Sequence, residues 1–153
     1  MRLLFSLLLL STLFTACGPA VIYEKEQTID AAGWAYADSV RFAFHIPSTE
    51  QAYDYVLSLE HAENFPYQNF YVQLHTGFPS GKRRTEQVSL QMAGDFGEWY
   101  GDCGGETCRQ EITILQNARF KATGDYHLTV EQHSRDTLLQ GIGAVGLKIV
   151  ERK

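Results

Sequence analysis

Basic residues are too few and too scattered in this chain to make a nucleic-acid-binding face. Thirteen Lys and Arg stand against eighteen Asp and Glu, a formal charge of −5, whereas phosphate binding calls for a clustered basic surface. Long apolar runs are almost missing too. The one present, Leu3 to Phe14, is interrupted by Ser6, Ser11 and Thr12 and falls short of the roughly 20 apolar residues that a membrane-spanning helix needs. No segment carries a convincing 3.6-residue hydrophobic period, which removes helical architectures. There is no internal repeat, linker or low-complexity tract, so the chain reads as one domain. Cysteine is limited to Cys17, Cys103 and Cys108, and no second Cys/His pair at ligand spacing joins Cys103-x4-Cys108 to make a zinc site.

What is present begins at the N-terminus. Arg2 supplies a positive n-region, residues 3–14 an apolar h-region, and Phe14-Thr15-Ala16-Cys17 closes it with small residues before a cysteine. That pattern predicts a lipoprotein signal peptide over residues 1–16. Cys17 then becomes the N-terminus, acylated through its thiol and its freed amine. Each buried methylene contributes about 0.8 kcal/mol, so two or three chains hold a small domain on a bilayer effectively for good. Phe14 stands where leucine is commoner. The alternative, an ordinary signal cleaved near Ala16 with a free thiol at Cys17, leaves a cysteine directly behind the h-region without a reason. Cleavage removes Arg2 and no acid, leaving 137 residues at −6; such a chain can bury about two-thirds of its unfolded surface.

With Cys17 assigned to lipid, Cys103 and Cys108 remain as a pair in an exported protein and are expected to form a disulfide. A ring this small stabilises by about 2 kcal/mol at most, so the bond would shape a local loop.

Residues 17–33 read as the acylated cysteine and a polar tether carrying Glu24, Lys25, Glu26 and Asp30, with the domain proper over 34–153. Trp34 and Tyr36 precede the first strand, in which Val40, Phe42, Phe44 and Ile46 alternate with Ser39, Arg41, Ala43 and His45 until Pro47. Residues 51–60 favour a strand, with Tyr53, Tyr55, Leu57 and Leu59 on one face. Residues 69–75 form another, and Phe78-Pro79-Ser80-Gly81-Lys82 is the strongest turn, Pro79 presetting φ and Gly81 tolerating positive φ. A strand over 85–92 follows. Residues 93–106, with five glycines, Asp95, Glu98, Asp102 and the pair Trp99-Tyr100, read as a long structured loop. Strand character resumes over 111–115, 124–133 and 143–151. Seven alternating runs predict an antiparallel β-sandwich of immunoglobulin-like or jelly-roll type.

Catalytic patterns do not assemble. Gly77-Phe78-Pro79-Ser80-Gly81 lacks the glycine two residues before serine that a nucleophile elbow needs. Asp95 and Glu98 are candidate paired carboxylates of a hydrolase, but spatial separation decides that chemistry. The acids of this loop lack the every-other-residue spacing of a calcium loop. His45, His61, His75, His127 and His133 lie singly on different segments, mostly at outward strand positions, so no metal is expected. Lys82-Arg83-Arg84 is a basic tip that can meet lipid head groups or an acidic partner, although such runs are usually solvated hairpin ends. Tyr23, Trp34, Tyr36, Phe65, Tyr67, Trp99 and Tyr100 are candidates for a sugar-stacking platform or a protein contact, or simply for packing.

Several blocks resemble the gliding-motility lipoprotein H family (GldH) of the Bacteroidota. Trp34 with Asp38-Ser39-Val40-Arg41-Phe42-Ala43-Phe44 is similar to that family's early Trp and Asp-Ser-Val strand. Asn64-Phe65-Pro66-Tyr67-Gln68-Asn69-Phe70 and Phe78-Pro79-Ser80-Gly81 are similar to its aromatic-Pro-Tyr-x-Asn strand and Phe-Pro-x-Gly turn. Met92-Ala93-Gly94-Asp95 with Gly97-Glu98-Trp99-Tyr100-Gly101 resembles its Ala-Asp, Gly-x-Trp-x-Gly loop, with Gly94 inserted here. Thr123-Gly124-Asp125-Tyr126, Val130-Glu131-Gln132, Leu139-Gln140-Gly141-Ile142 and Val145-Gly146-Leu147 complete the match. The resemblance implies an outer-membrane-associated lipoprotein of gliding and of the associated type IX secretion apparatus, working through protein contacts, with no catalytic residue, cofactor, metal or small-molecule substrate. The cysteine pair lies outside the family pattern. Gly18, rather than an acid, follows Cys17, which points to a periplasm-facing domain. The rival readings are a periplasmic glycan-binding module stacking sugars on Trp99 and Tyr100, and a hydrolase using Asp95 and Glu98. As a protein-contact surface, the candidates are Trp99 and Tyr100.

Overall fold

A computed structural model describes residues 18–152; the expected signal peptide and Cys17 lie outside the described residues. The chain forms β1 (Ala20–Thr28), β2 (Trp34–Ala35), β3 (Val40–Ile46), β4 (Ala52–Ala62), β5 (Asn69–Gly77), β6 (Arg83–Gln91), β7 (Asp102–Gly104), β8 (Thr107–Arg119), β9 (Gly124–Gln132), β10 (Leu138–Leu139) and β11 (Ile142–Arg152). One sheet runs β1-β11-β4-β8-β7, the other β3-β9-β5-β6, with a two-stranded β10-β2 cap. All the pairings are antiparallel. Among the eight long strands every connection crosses to the opposite sheet except the β5–β6 hairpin. That is the double-sheet wrapping of a jelly roll, and it decides between the two sandwich types, since an immunoglobulin sandwich keeps its first two strands as neighbours in one sheet.

The alternation along β3 is strict: Val40, Phe42, Phe44 and Ile46 are buried, and Arg41, Ala43 and His45 are exposed. Tyr53, Tyr55, Leu57 and Leu59 of β4 meet them from the other sheet in a single core. A Phe44–Tyr126 stack and edge contacts of Phe44 with Tyr55 and of Phe120 with Tyr126 fill the middle of the sandwich.

The expected tether over 17–33 is corrected by the structure. The chain is already a strand at Ala20, paired with β11 from Ala20↔Glu151 to Thr28↔Ala144. The acids that read as tether polarity are the wet face of an edge strand. Glu26 accepts a two-pronged fork from Arg109, at 2.6 and 3.0 Å, and that guanidinium holds the Glu26 carboxyl below its ordinary range. The loop expected over 93–106 likewise ends early, at the β7–β8 hairpin.

The long strands share two ends. One gathers Gly18, where the described residues begin, with the connections 47–51, 78–82 and 120–123. The other gathers the connections 29–39, 63–68, 92–101 and 133–141 together with the β7–β8 hairpin. We call them the proximal and distal ends.

Candidate functional site

The distal end is sealed by aromatics. Trp34 and Leu139, facing each other across the β2–β10 cap, are fully buried, and the Trp34 indole N–H donates to the Asp38 carbonyl at 2.6 Å. The Gln132 amide donates to the carbonyls of Trp34 and Asp136, tying the last connection to the first. Trp99 closes the remaining corner. Its ring lies 4.6 Å from that of His61, edge-on, and 6.3 Å from Phe65, and its Nε1–H donates to the Glu63 carbonyl at 3.0 Å. Trp99 is therefore turned inward, half-buried, and is not an open stacking face. Tyr100 beside it remains exposed.

The glycine-rich segment is held by its backbone. Gly94 N–H donates to the Glu98 carbonyl at 2.8 Å, Gly97 N–H to the Gly94 carbonyl at 3.0 Å, and Tyr100 N–H to the Met92 carbonyl at 2.9 Å. At Gly101, φ is +85° and a Cβ would sit 2.2 Å from the Arg109 carbonyl oxygen, so only glycine lets the loop lie against β8. Gly94-Asp95-Phe96-Gly97 is thereby a tight turn whose central aromatic has nowhere to go but outward. Phe96 is 98% exposed. Phe96 is not among the residues singled out from sequence above, although an aromatic at the centre of a four-residue turn flanked by glycines is a signal for it.

Cys103 and Cys108 are joined by a disulfide and face each other as a cross-strand pair of the β7–β8 hairpin. The bond thus staples a hairpin at a sheet edge, next to the glycine-rich loop and outside it. The Glu98 carboxylate accepts the Phe96 N–H at 3.2 Å and Asp95 is exposed, so the candidate acid pair is used by the loop itself or by solvent. The histidines are dispersed, but two are not outward as expected. His61 is fully buried under Trp99 and Phe65. His75 is buried between Thr85, at 2.8 Å, and Glu131, at 3.0 Å. Among the described residues no three metal-ligating side chains cluster. Cys17 lies outside the described residues.

Charge divides the two ends. The distal connections and hairpin carry Asp30, Asp38, Glu63 and Asp136, joined by Asp95, Glu98, Asp102 and Glu106 of the segment 92–107, against Arg135 alone. Around the proximal end, strand ends included, stand Lys82, Arg83, Arg119, Lys121 and Arg152 against Glu50, Asp125 and Glu151, with Asp54 paired to Arg152. Large apolar side chains are also exposed at the distal end, at Tyr36, Phe96, Tyr100 and Leu138.

In class, then, this is a single-domain all-β jelly roll whose distal end offers exposed aromatics in an acidic surround. The profile of the GldH lipoprotein family matches residues 21–149, nearly all of the sandwich, and the chain belongs to that family. It is 24% identical over 144 residues to a gliding motility lipoprotein GldH homolog of Christiangramia forsetii, covering 90% of this chain and 88% of that protein. It is 22% identical over 153 residues to the gliding motility lipoprotein GldH of Flavobacterium johnsoniae, covering 95% and 94%. As a member of a lipoprotein family, it associates with a membrane through a lipid anchor.

Proposed function

We propose that the chain is a non-catalytic lipoprotein of the gliding apparatus and of the type IX secretion machinery associated with it. Its leader, residues 1–16, is removed; Cys17 is acylated; and the domain hangs from the outer membrane into the periplasm, where it works by holding protein partners. The names of its relatives support the gliding role. The polarity of the sandwich carries the contact reading. The strand that follows the anchor begins at the basic proximal end, so the acidic, aromatic distal end points away from the lipid surface. An exposed phenylalanine on a rigid turn costs little entropy to dock, and preorganised aromatics serve as interface anchors.

Trp99 acts here as a pin that holds the loop, while Phe96 and Tyr100 make the contact. Trp99 turned inward also disfavours the glycan-stacking alternative. The test is the double variant Phe96→Ala, Tyr100→Ala. Melting unchanged with gliding and secretion lost supports the reading, and full gliding in that variant sinks it.

A further inference from the structure

The sandwich is closed along β1 and β3 but parted on the opposite side, between β6 of one sheet and β8 of the other, where a groove of about 730 Å³ runs from the proximal end into the core. This volume lies within the range of roughly 300–1,000 Å³ typical of small-molecule sites. Its walls are apolar: Leu74, Phe78, Val88, Ile114, Phe120 and Leu128 are among the lining side chains. The groove exists because β8 is irregular. Its register against β4 slips twice, between Tyr53 and Tyr55 and between Tyr55 and Val56, and Asn117 takes a left-handed φ of 57°. A regular strand sends neighbouring side chains to opposite faces, yet Ile114 and Leu115 both line the groove. Re-aiming side chains beside a site is what bulges do. Asp54 holds the distortion, its carboxylate accepting the Asn117 N–H at 2.7 Å while paired to Arg152.

The rim is cationic. Lys82, Arg83, Arg84, Arg119 and Lys121 line it with one acid, Glu86, which is taken up by Arg84 at 2.6 Å. Arg119 donates to a backbone carbonyl, and among the described residues neither it nor Lys82, Arg83 or Lys121 has a carboxylate partner. In a chain of net charge −5, five cations around one apolar opening select an anion with an apolar tail. Tyr55 also lines the groove, and its hydroxyl is buried with no hydrogen-bond partner among the described residues.

Position supplies the rest. Ala20 pairs with Glu151, Glu151 with Tyr53, and Tyr53 with Ala118 of the groove wall. Three strand spacings put Ala20 about 14 Å from the groove. Residue 17 precedes Ala20 by a stretch that spans at most about 10 Å. An anchor at Cys17 therefore brings the mouth of the groove to the lipid surface. We propose that the groove takes one acyl chain of an anionic glycerophospholipid from that membrane, its phosphate held by Lys82, Arg83, Arg119 and Lys121. The chain's own anchor is the poorer occupant, because a thioether-linked diacylglycerol has no phosphate to meet the rim. This rests on the anchoring reading above, but the quenching and mass-spectrometry measurements below use an anchor-free chain, so the two can fail separately.

The mature chain from residue 17 with Cys17→Ser keeps the whole core, which runs from Ile29 to Ile149. Leu115→Trp adds a reporter at a position 40% exposed, while Trp34 and Trp99 lie at the far end. Vesicles of phosphatidylglycerol brominated on the acyl chains should quench the indole at position 115 by at least half. Brominated phosphatidylcholine vesicles and inorganic phosphate should not. Arg83→Glu with Lys121→Glu should weaken phosphatidylglycerol binding about tenfold or more at unchanged melting temperature. Independently of the reporter, native mass spectrometry of the Cys17→Ser chain should retain one phosphatidylglycerol per protein. Binding without quenching means surface attraction alone and overturns the proposal, as does equal binding of phosphatidylcholine or no binding. An acylated protein that excludes the phospholipid its Cys17→Ser form accepts would assign the groove to the anchor, and also overturns it.

Discussion

Two aromatics three residues apart, Phe96 and Trp99, occupy opposite situations. Trp99 is packed on His61 and Phe65 and donates its N–H to Glu63, whereas Phe96 touches little but water. Truncating a packed tryptophan costs about 3–5 kcal/mol. Trp99→Ala, half-buried, should lose about 3 kcal/mol in urea unfolding, and Phe96→Ala should lose none. Equal effects would mean that the loop does not sit as described. At the other end of the sandwich, His127 lies over Gly77, where a Cβ would meet the imidazole at 1.9 Å. Burial, then the positive charges of Arg41 and Arg83, lower its pKa below the ordinary 6.5. Below pH 6.5 the unfolded chain therefore takes up a proton that the folded one refuses, so stability falls as pH drops through 6.5. Urea titrations across that window should show this slope in the wild type and a shallower one in His127→Gln. The alternation that placed Phe42 or Leu57 in the core was plain from sequence, because burial on one strand face leaves a period of two. The orientation of Trp99 was not, because a glycine-rich loop has no period to read.

Among the elements, β8 differs most from what its sequence suggests. Residues 111–115 were legible as strand; the full Thr107–Arg119 span was not, because two bulges break the alternation just where the groove forms. Strand β1 escaped for a related reason. As an edge strand it is wet on much of its surface, so Glu24, Lys25 and Glu26 outweigh Ile22 and Tyr23 in any local pattern. What identifies it is pairing with β11, a contact across more than a hundred residues. The bulge of β8 rests on Asp54, whose carboxyl is held below the ordinary 3.8, first by the hydrogen bond from Arg152 and then, against the cost of burial, by the Asn117 N–H. That stabilisation is complete above pH 3.8 and is lost as pH falls through the lower folded value. Hydrogen bonds to charged groups contribute about 1.5–3 kcal/mol. Asp54→Ala should therefore cost about 2 kcal/mol at pH 7 and flatten the acid limb of the stability curve, and a variant with unchanged stability would remove Asp54 as the support of the bulge. The Cys103–Cys108 staple lies at the distal end of the same sheet edge, closing a small ring in a hairpin. Replacing both cysteines with serine should cost no more than about 2 kcal/mol, read as a lowered Tm with the sandwich intact.

For the whole molecule, the closeness of the first strand to its anchor determines how the domain sits. A domain on a long tether samples all orientations, and its charge asymmetry is averaged away. This one enters its sheet at Ala20, three residues past the site expected to bear the lipid, so the proximal end stays within a Debye length or so, about 8 Å, of the head groups. Anionic lipids attract each basic residue near the surface by about 1 kcal/mol, and they repel the acidic distal end. Both terms favour one orientation. The measurable consequence is lysine protection. In the membrane-anchored protein Lys82 and Lys121 should react with a water-soluble acylating reagent several-fold more slowly than in detergent, while Lys25 should react alike in both. Inserting twenty Gly/Ser residues between Pro19 and Ala20 adds about 25 Å of flexible reach. With the tether lengthened, only charge holds the proximal end down, so protection of Lys82 and Lys121 should persist at low salt and vanish at high salt. The wild type should keep it at both. Should the two lysines react as fast in membranes as in detergent without the insertion, the basic end does not face the lipid, and the assignment of the distal loops as the partner-facing surface falls with it.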